Sequence, residues 1–184
     1  MADAGKLIVL NGPSSAGKTT LCRALQAALP EPFLHFSLDF FMFDTTALPP
    51  KRPDDPAFAW KTLRPRVFQG YYDCLAALAK AGNNVVTDYI IETSGQLEAL
   101  RAALEGLDVF LVGVHCDPAE LERRERLRGD RRVGDARRDL ETVHSFTRYD
   151  FEVDSALEPE RNAEAITAAW LERHGQPRVW RLER

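Results

Sequence analysis

A short branched apolar run, Lys6-Leu-Ile-Val-Leu10, breaks at Asn11-Gly12-Pro13 and passes through Ser14-Ser15-Ala16-Gly17-Lys18-Thr19 into a stretch of helical spacing. Residues Gly12 to Thr19 satisfy GxxxxGK[ST] at every fixed position, and the flanks predict the strand before and the helix after that the motif requires. The physical need behind the pattern is specific. Several backbone N–H groups must converge on phosphate oxygens, and Cβ atoms would obstruct their path. Gly12, Ala16 and Gly17 keep it open, and the helix beginning near Lys18 adds unpaired N–H groups and a positive dipole end. The triphosphate contacts are expected from Gly12, Pro13, Ser14, Ser15, Ala16, Gly17, Lys18, Thr19 and Thr20. Lys18 is assigned to the β- and γ-phosphates and Thr19 to Mg²⁺, which makes ATP with Mg²⁺ the expected cofactor pair.

The rest of the chain alternates in the same manner. Leu21, Leu25 and Leu29 mark a helix stopped by Pro30 and Pro32, and 33–37 reads as a second strand. Residues 40–65 hold five prolines and many aromatics, and are expected as a long loop with room for a short helix. A helix is predicted over 67–81, a third strand over 84–88 running on through Ile91, and a helix over 96–104. The strongest strand is 109–114. Helices over 118–127 and from about 135 to 146 follow, then a short strand at 151–153 and a last helix over 159–174. The tail 178–182 reads equally as an edge strand or as an ordered terminus. Strands that look buried on both faces, alternating with helices, predict a parallel sheet covered on both sides. Ligands bind at the carboxyl ends of such strands.

Charge and cysteine usage narrow the function classes. A net charge of −4 argues against a nucleic-acid partner held by a broad basic face. Cys22, Cys74 and Cys116 are far apart and odd in number, which suggests neither a zinc site nor a disulfide framework. The apolar run at 7–10 is too short for a signal or membrane span, so a cytoplasmic protein is expected. The 184 residues are expected as one domain, with an acceptor-site insertion at about 40–66.

No [NT]KxD guanine-reading motif occurs, which leaves a small kinase-like domain. Such a domain needs a carboxylate beside the acceptor hydroxyl, and Asp39, just past the second strand, is the assigned base. Asp88, at the end of the third strand, is the expected metal-shell acid. Phe40, Phe41, Phe43, Trp60 and Tyr72 are expected to wall an acceptor site together with Glu92. The four histidines show no ligand spacing and receive no chemistry. Eight of the 24 lysines and arginines fall within residues 120–139. Glu120–Arg124 and Glu122–Arg126 read as exposed i,i+4 pairs. Arg128, Arg131 and Arg132 flank the breaks at Gly129 and Gly134, and suit a lid (about 128–139) closing over the triphosphate.

Several separated blocks, in this order, give the chain a resemblance to the chloramphenicol phosphotransferase-like family. They are Ile8-Val-Leu-Asn-Gly-Pro-Ser-Ser-Ala-Gly-Lys18, Leu29-Pro-Glu-Pro-Phe33, Asp39, Val109-Phe-Leu-Val-Gly-Val-His-Cys-Asp117, Arg128-Gly-Asp-Arg131 and Tyr149-Asp-Phe-Glu-Val-Asp154. The resemblance implies a nucleotide-kinase-like αβα fold with a five-stranded parallel sheet of order 2-3-1-4-5. It implies transfer of the γ-phosphate of ATP to an alcohol, in that family an antibiotic such as chloramphenicol, which is thereby inactivated. It matches the family's base to Asp39, its phosphate-handling lysine to Lys18 and its lid arginines to Arg128 and Arg131. In that family the third strand often ends in paired acids; here Tyr89 follows Asp88. A nucleoside, nucleotide or sugar kinase, and an ATP-binding regulatory module without an acceptor, stay open beside it.

Overall fold

Strand β1 (Lys6–Asn11) sends Leu7 and Val9 to one side and Ile8 and Leu10 to the other, and all four are fully buried. A strand buried on both faces needs a layer on each, and the computed structural model supplies them. Strands β2 (Phe33–His35), β3 (Asn84–Tyr89), β4 (Asp108–His115) and β5 (Phe151–Asp154) join β1 in an all-parallel sheet of order 2-3-1-4-5. The structure describes residues 3–44, 47–128 and 135–173, and their side chains apart from those of 43, 44, 128, 135 and 136.

Helix α1 (Lys18–Ala28) and helix α6 (Pro159–Glu172) cover one face. There Leu21, Cys22, Leu25, Ile166 and Trp170 pack on Ile8, Leu10, Val86, Phe110 and Val112. Helix α2 (Trp60–Lys80) and helix α3 (Ser94–Ala103) cover the other, with Tyr71, Leu75, Ala79, Leu97 and Leu100 against Leu7, Val9, Val85 and Leu111. Each large side chain buried in these layers contributes roughly 1.5–3 kcal/mol. Helix α4 (Pro118–Arg128) and helix α5 (Asp135–Thr142) follow β4. No helix among the described residues is long and apolar enough to cross a membrane.

Three boundaries differ from the sequence reading. Helix α2 starts at Trp60 rather than 67 and carries Pro65 inside. Trp60 packs edge-on to Phe68 at 6.2 Å and the Arg64 guanidinium lies 4.9 Å over the Phe68 ring, contacts that outweigh the N–H Pro65 lacks. Strand β3 ends at Tyr89, because the Ile91 N–H donates to Asn11 Oδ1 (2.9 Å) instead of to a ladder. Helix α5 stops at Thr142, and the Ser145 N–H closes a turn on Thr142 O (2.9 Å). The segment after β2 forms a π-turn at Phe40–Asp44 and a 3₁₀ turn at Pro56–Phe58 capped by Asp55. The tail at 175–184 lies outside the described residues.

Candidate active site

The site forms where the carboxyl ends of β1, β2 and β3 meet the start of α1. Asn11 anchors it. Its Nδ2 donates to Tyr149 Oη (2.8 Å) and Val143 O (3.2 Å), while its Oδ1 takes the Ile91 N–H. One amide thus ties the last residue of β1 to the loops after β3 and α5. The loop that follows has no room for larger residues. A Cβ on Gly12 would sit 2.4 Å from Val114 O. Gly17 has φ +82°, where an L side chain is strained, and it leads directly into α1.

Lys18 is nearly buried and curls back over the loop, donating from Nζ to Gly12 O (2.9 Å) and Pro13 O (2.7 Å). Thr19 Oγ1 donates to Asp88 Oδ2 (2.6 Å), and His35 Nε2 lies 2.8 Å from Asp88 Oδ1. Burial pushes the Asp88 carboxyl up, but the bonds from His35 and Thr19 and the Lys18 charge outweigh it, leaving its pKa below the usual carboxylate range. Asp139 Oδ2 accepts the Ser14 N–H (3.2 Å). Asp139 is buried, and burial raises its pKa.

Ser14, Gly17, Lys18, Thr19 and Asp88 open onto a cleft of about 1210 Å³. A pocket for a single ligand measures roughly 300–1,000 Å³, and this cleft is larger. Ser14, Ser15, Gly17, Lys18, Thr19, Thr20, Asp88, Arg124 and Arg138 line one part. Asp39, Phe40, Trp60, Arg64, Phe68 and Glu92 are among its other lining residues. Ser37 shapes the turn before the π-turn, its Oγ accepting the Phe40 N–H (3.1 Å). Arg64 and Glu92 pair at 2.7 Å across the cleft wall.

The structure brings together Lys18, Thr19, Thr20, Asp39, Asp88, Phe40, Trp60 and Glu92. It does not bring Tyr72 or Phe41 to the cleft wall. Tyr72 is 2 % exposed, and its Oη bonds Tyr89 Oη at 2.5 Å inside the α2 core. Phe41 packs on that same core beside Phe36 and Tyr71. Both rings satisfy core packing before any ligand arrives. Gly12, Pro13 and Ala16 shape the loop from beneath rather than facing the cleft. Arg131 and Arg132 lie outside the described residues, as do the side chains of Arg128 and Phe43.

Three charged cleft residues, and His35 behind Asp88, escaped the sequence reading. Arg124 makes the expected bond to Glu120 (2.7 Å) but also donates to Ser155 O (3.0 Å), which turns it beside Gly17. Arg138 and Arg64 carried no pattern that separates them from surface arginines. His35 did carry a signal: it ends β2 as Asp88 nearly ends β3, on the sheet edge already singled out.

Comparison with known proteins gives the family and the fold. A family model described as chloramphenicol phosphotransferase-like protein matches residues 5–171. A Mycobacterium tuberculosis protein that carries the name "Putative O-phosphotransferase" is 36% identical over 176 residues, covering 84% of this chain and 77% of that one. The solved APS kinase CysC of M. tuberculosis, in complex with AMPPNP and APS, superposes with a TM-score of 0.70 at 16% identity, over 92% of this chain and 99% of that one. The tunicamycin resistance protein of Deinococcus radiodurans gives a TM-score of 0.62 at 21% identity, over 89% and 94%. The last two share the fold.

Proposed function

The chain belongs to the chloramphenicol phosphotransferase-like family, and on that premise we propose that it moves the γ-phosphate of ATP, with Mg²⁺, to a hydroxyl group of a small molecule. One observation carries the reading. The phosphate-loop groups Lys18 and Thr19, the acid Asp88 and the further acid Asp39 share one cleft with the exposed rings of Phe40 and Trp60. A protein that only bound nucleotide would have no use for a further carboxylate and exposed aromatic rings on the wall of the same cleft.

The roles follow from position. Lys18 leaves the carbonyls of Gly12 and Pro13 and takes up the β- and γ-phosphate oxygens. Thr19 Oγ1 and Asp88 Oδ2 are hard oxygen donors 2.6 Å apart, which suits Mg²⁺. The ion supplies charge neutralisation on the phosphates. Asp39 receives the acceptor hydroxyl proton as the new P–O bond forms and the bond to ADP breaks. Arg124 and Arg138 offset the charge on the transferring group. Phe40 and Trp60 hold the apolar body of the acceptor, and the Arg64–Glu92 pair fixes its polar edge. Chloramphenicol and related antibiotic alcohols are the first acceptors to try.

The test is a screen of hydroxylated antibiotics, nucleosides and sugars with ATP, read by mass spectrometry for the roughly 80 Da of an added HPO₃. With an acceptor in hand, Asp39→Asn is expected to keep nucleotide affinity and lose about 10²–10⁴-fold in kcat. An unchanged kcat would remove Asp39 from the reaction.

A further inference from the structure

We propose that Cys22, His35 and Asp88 form a binding site for a borderline-soft divalent metal, Zn²⁺ foremost, built around the carboxylate assigned above to Mg²⁺. The site stands on donor geometry and does not require the phosphotransfer reading.

Three neighbouring elements aim their donors at one point. Thr19 and Cys22 are three residues apart on α1 and therefore lie on one face of that helix. Val86 and Asp88 are two apart on β3, and Val86 packs in the same core layer as Cys22, so Asp88 also faces α1. His35 pairs with Val86 in register, and is two residues from Phe33, which lies in that layer too. The outcome is a sulfur, an imidazole nitrogen and a carboxylate oxygen all within 4.8 Å of one another. Among the described residues this is the one such group of three metal-binding side chains.

The donor types decide the ion. Mg²⁺ prefers oxygen throughout and keeps its waters. Cys, His and Asp together are a zinc set, and three protein ligands leave a fourth position open for water or a phosphate oxygen. The 2.8 Å separation of His35 Nε2 and Asp88 Oδ1 is a short bite that a small opening of the pair would accommodate. Without metal, burial first and the nearby Asp88 charge second raise the Cys22 thiol pKa well above its usual value. Capture of the metal therefore displaces the thiol proton to solvent as the metal–sulfur bond forms.

The experiment titrates the full metal-stripped chain with Co²⁺, a spectroscopic stand-in for Zn²⁺. One equivalent is expected to raise a near-ultraviolet sulfur-to-cobalt charge-transfer band and the intense visible bands of a four-coordinate ion, and Zn²⁺ is expected to erase both. Cys22→Ser should lose the near-ultraviolet band, while Cys74→Ser keeps it. His35→Gln, at a partly exposed position, should weaken Co²⁺ binding at least about tenfold. It keeps the test decisive if Cys22→Ser fails to fold. Absence of the charge-transfer band at one equivalent, its persistence in Cys22→Ser, or unchanged affinity in His35→Gln would each overturn the proposal.

Discussion

At the scale of single residues, the cleft is governed by buried polar groups behind it as much as by those that line it. His144 shows the consequence most clearly. Its ring stacks on His115 at 4.1 Å, its Nδ1 bonds Tyr149 Oη at 2.7 Å, and Tyr149 in turn holds Asn11 at the foot of the phosphate loop. Burial first, and the neighbouring His115 second, hold the His144 pKa down to about 4; Glu152 pulls it up and Lys18 pushes it further down. An unfolded chain protonates this imidazole near pH 6.5, whereas the folded one resists until about 4. The contribution of His144 to stability is therefore complete above about 6.5 and is lost as the pH falls from there towards 4. The melting temperature should fall through that window, and His144→Gln should flatten the slope relative to the native chain. Equal slopes in the two proteins would show that His144 stays neutral for no structural reason.

At the scale of elements, α2 is where the acceptor is met. Its first turn presents Trp60, 42 % exposed, and Arg64 to the cleft, while its middle is core. Trp60→Ala is expected to raise the acceptor KM about tenfold and leave the nucleotide dissociation constant alone, because the ring packs on Phe68 of its own helix. A weaker grip on nucleotide with unchanged acceptor KM would put Trp60 on the wrong side of the cleft. The same helix shows why part of the site was hidden in the sequence. Short continuous apolar runs revealed the strands, which are buried on both faces, and a period of 3.6 revealed the middle of α2, which answers to one. The first turn of α2 lies beyond Pro65, a local stop signal overridden by the stacking of Trp60, Phe68 and Arg64. Tyr72 and Phe41 failed in the opposite direction. An aromatic near a cleft in sequence can serve the core, and nothing local separates the two fates.

At the scale of the whole molecule, the sheet order 2-3-1-4-5 sets β1 in the middle with β3 and β4 at its sides. That order carries the ends of β2 and β3, hence His35, Asp39 and Asp88, to the side of the phosphate loop, and the helices after β4 bring Arg124 and Arg138 to the same mouth. The phosphate loop, Asp39 and Asp88 were legible in outline, because GxxxxGK[ST] fixes a strand, a loop and a helix, and parallel topology fixes which loops share an edge; the strand order came only with the family resemblance, and His35, Arg124 and Arg138 stayed hidden. The Asp88–His35–Cys22 convergence was not legible, since it depends on register between β2 and β3. The central claim is that the γ-phosphate passes intact to an acceptor hydroxyl within this cleft. Its most direct test is a reaction with ATP whose γ-phosphate bears ¹⁸O on its three non-bridging oxygens, with the products weighed by mass spectrometry. The account predicts a phosphorylated acceptor that carries all three labelled oxygens and keeps its own hydroxyl oxygen as the ester bridge. Label found only in inorganic phosphate, with every acceptor unmodified, would contradict it.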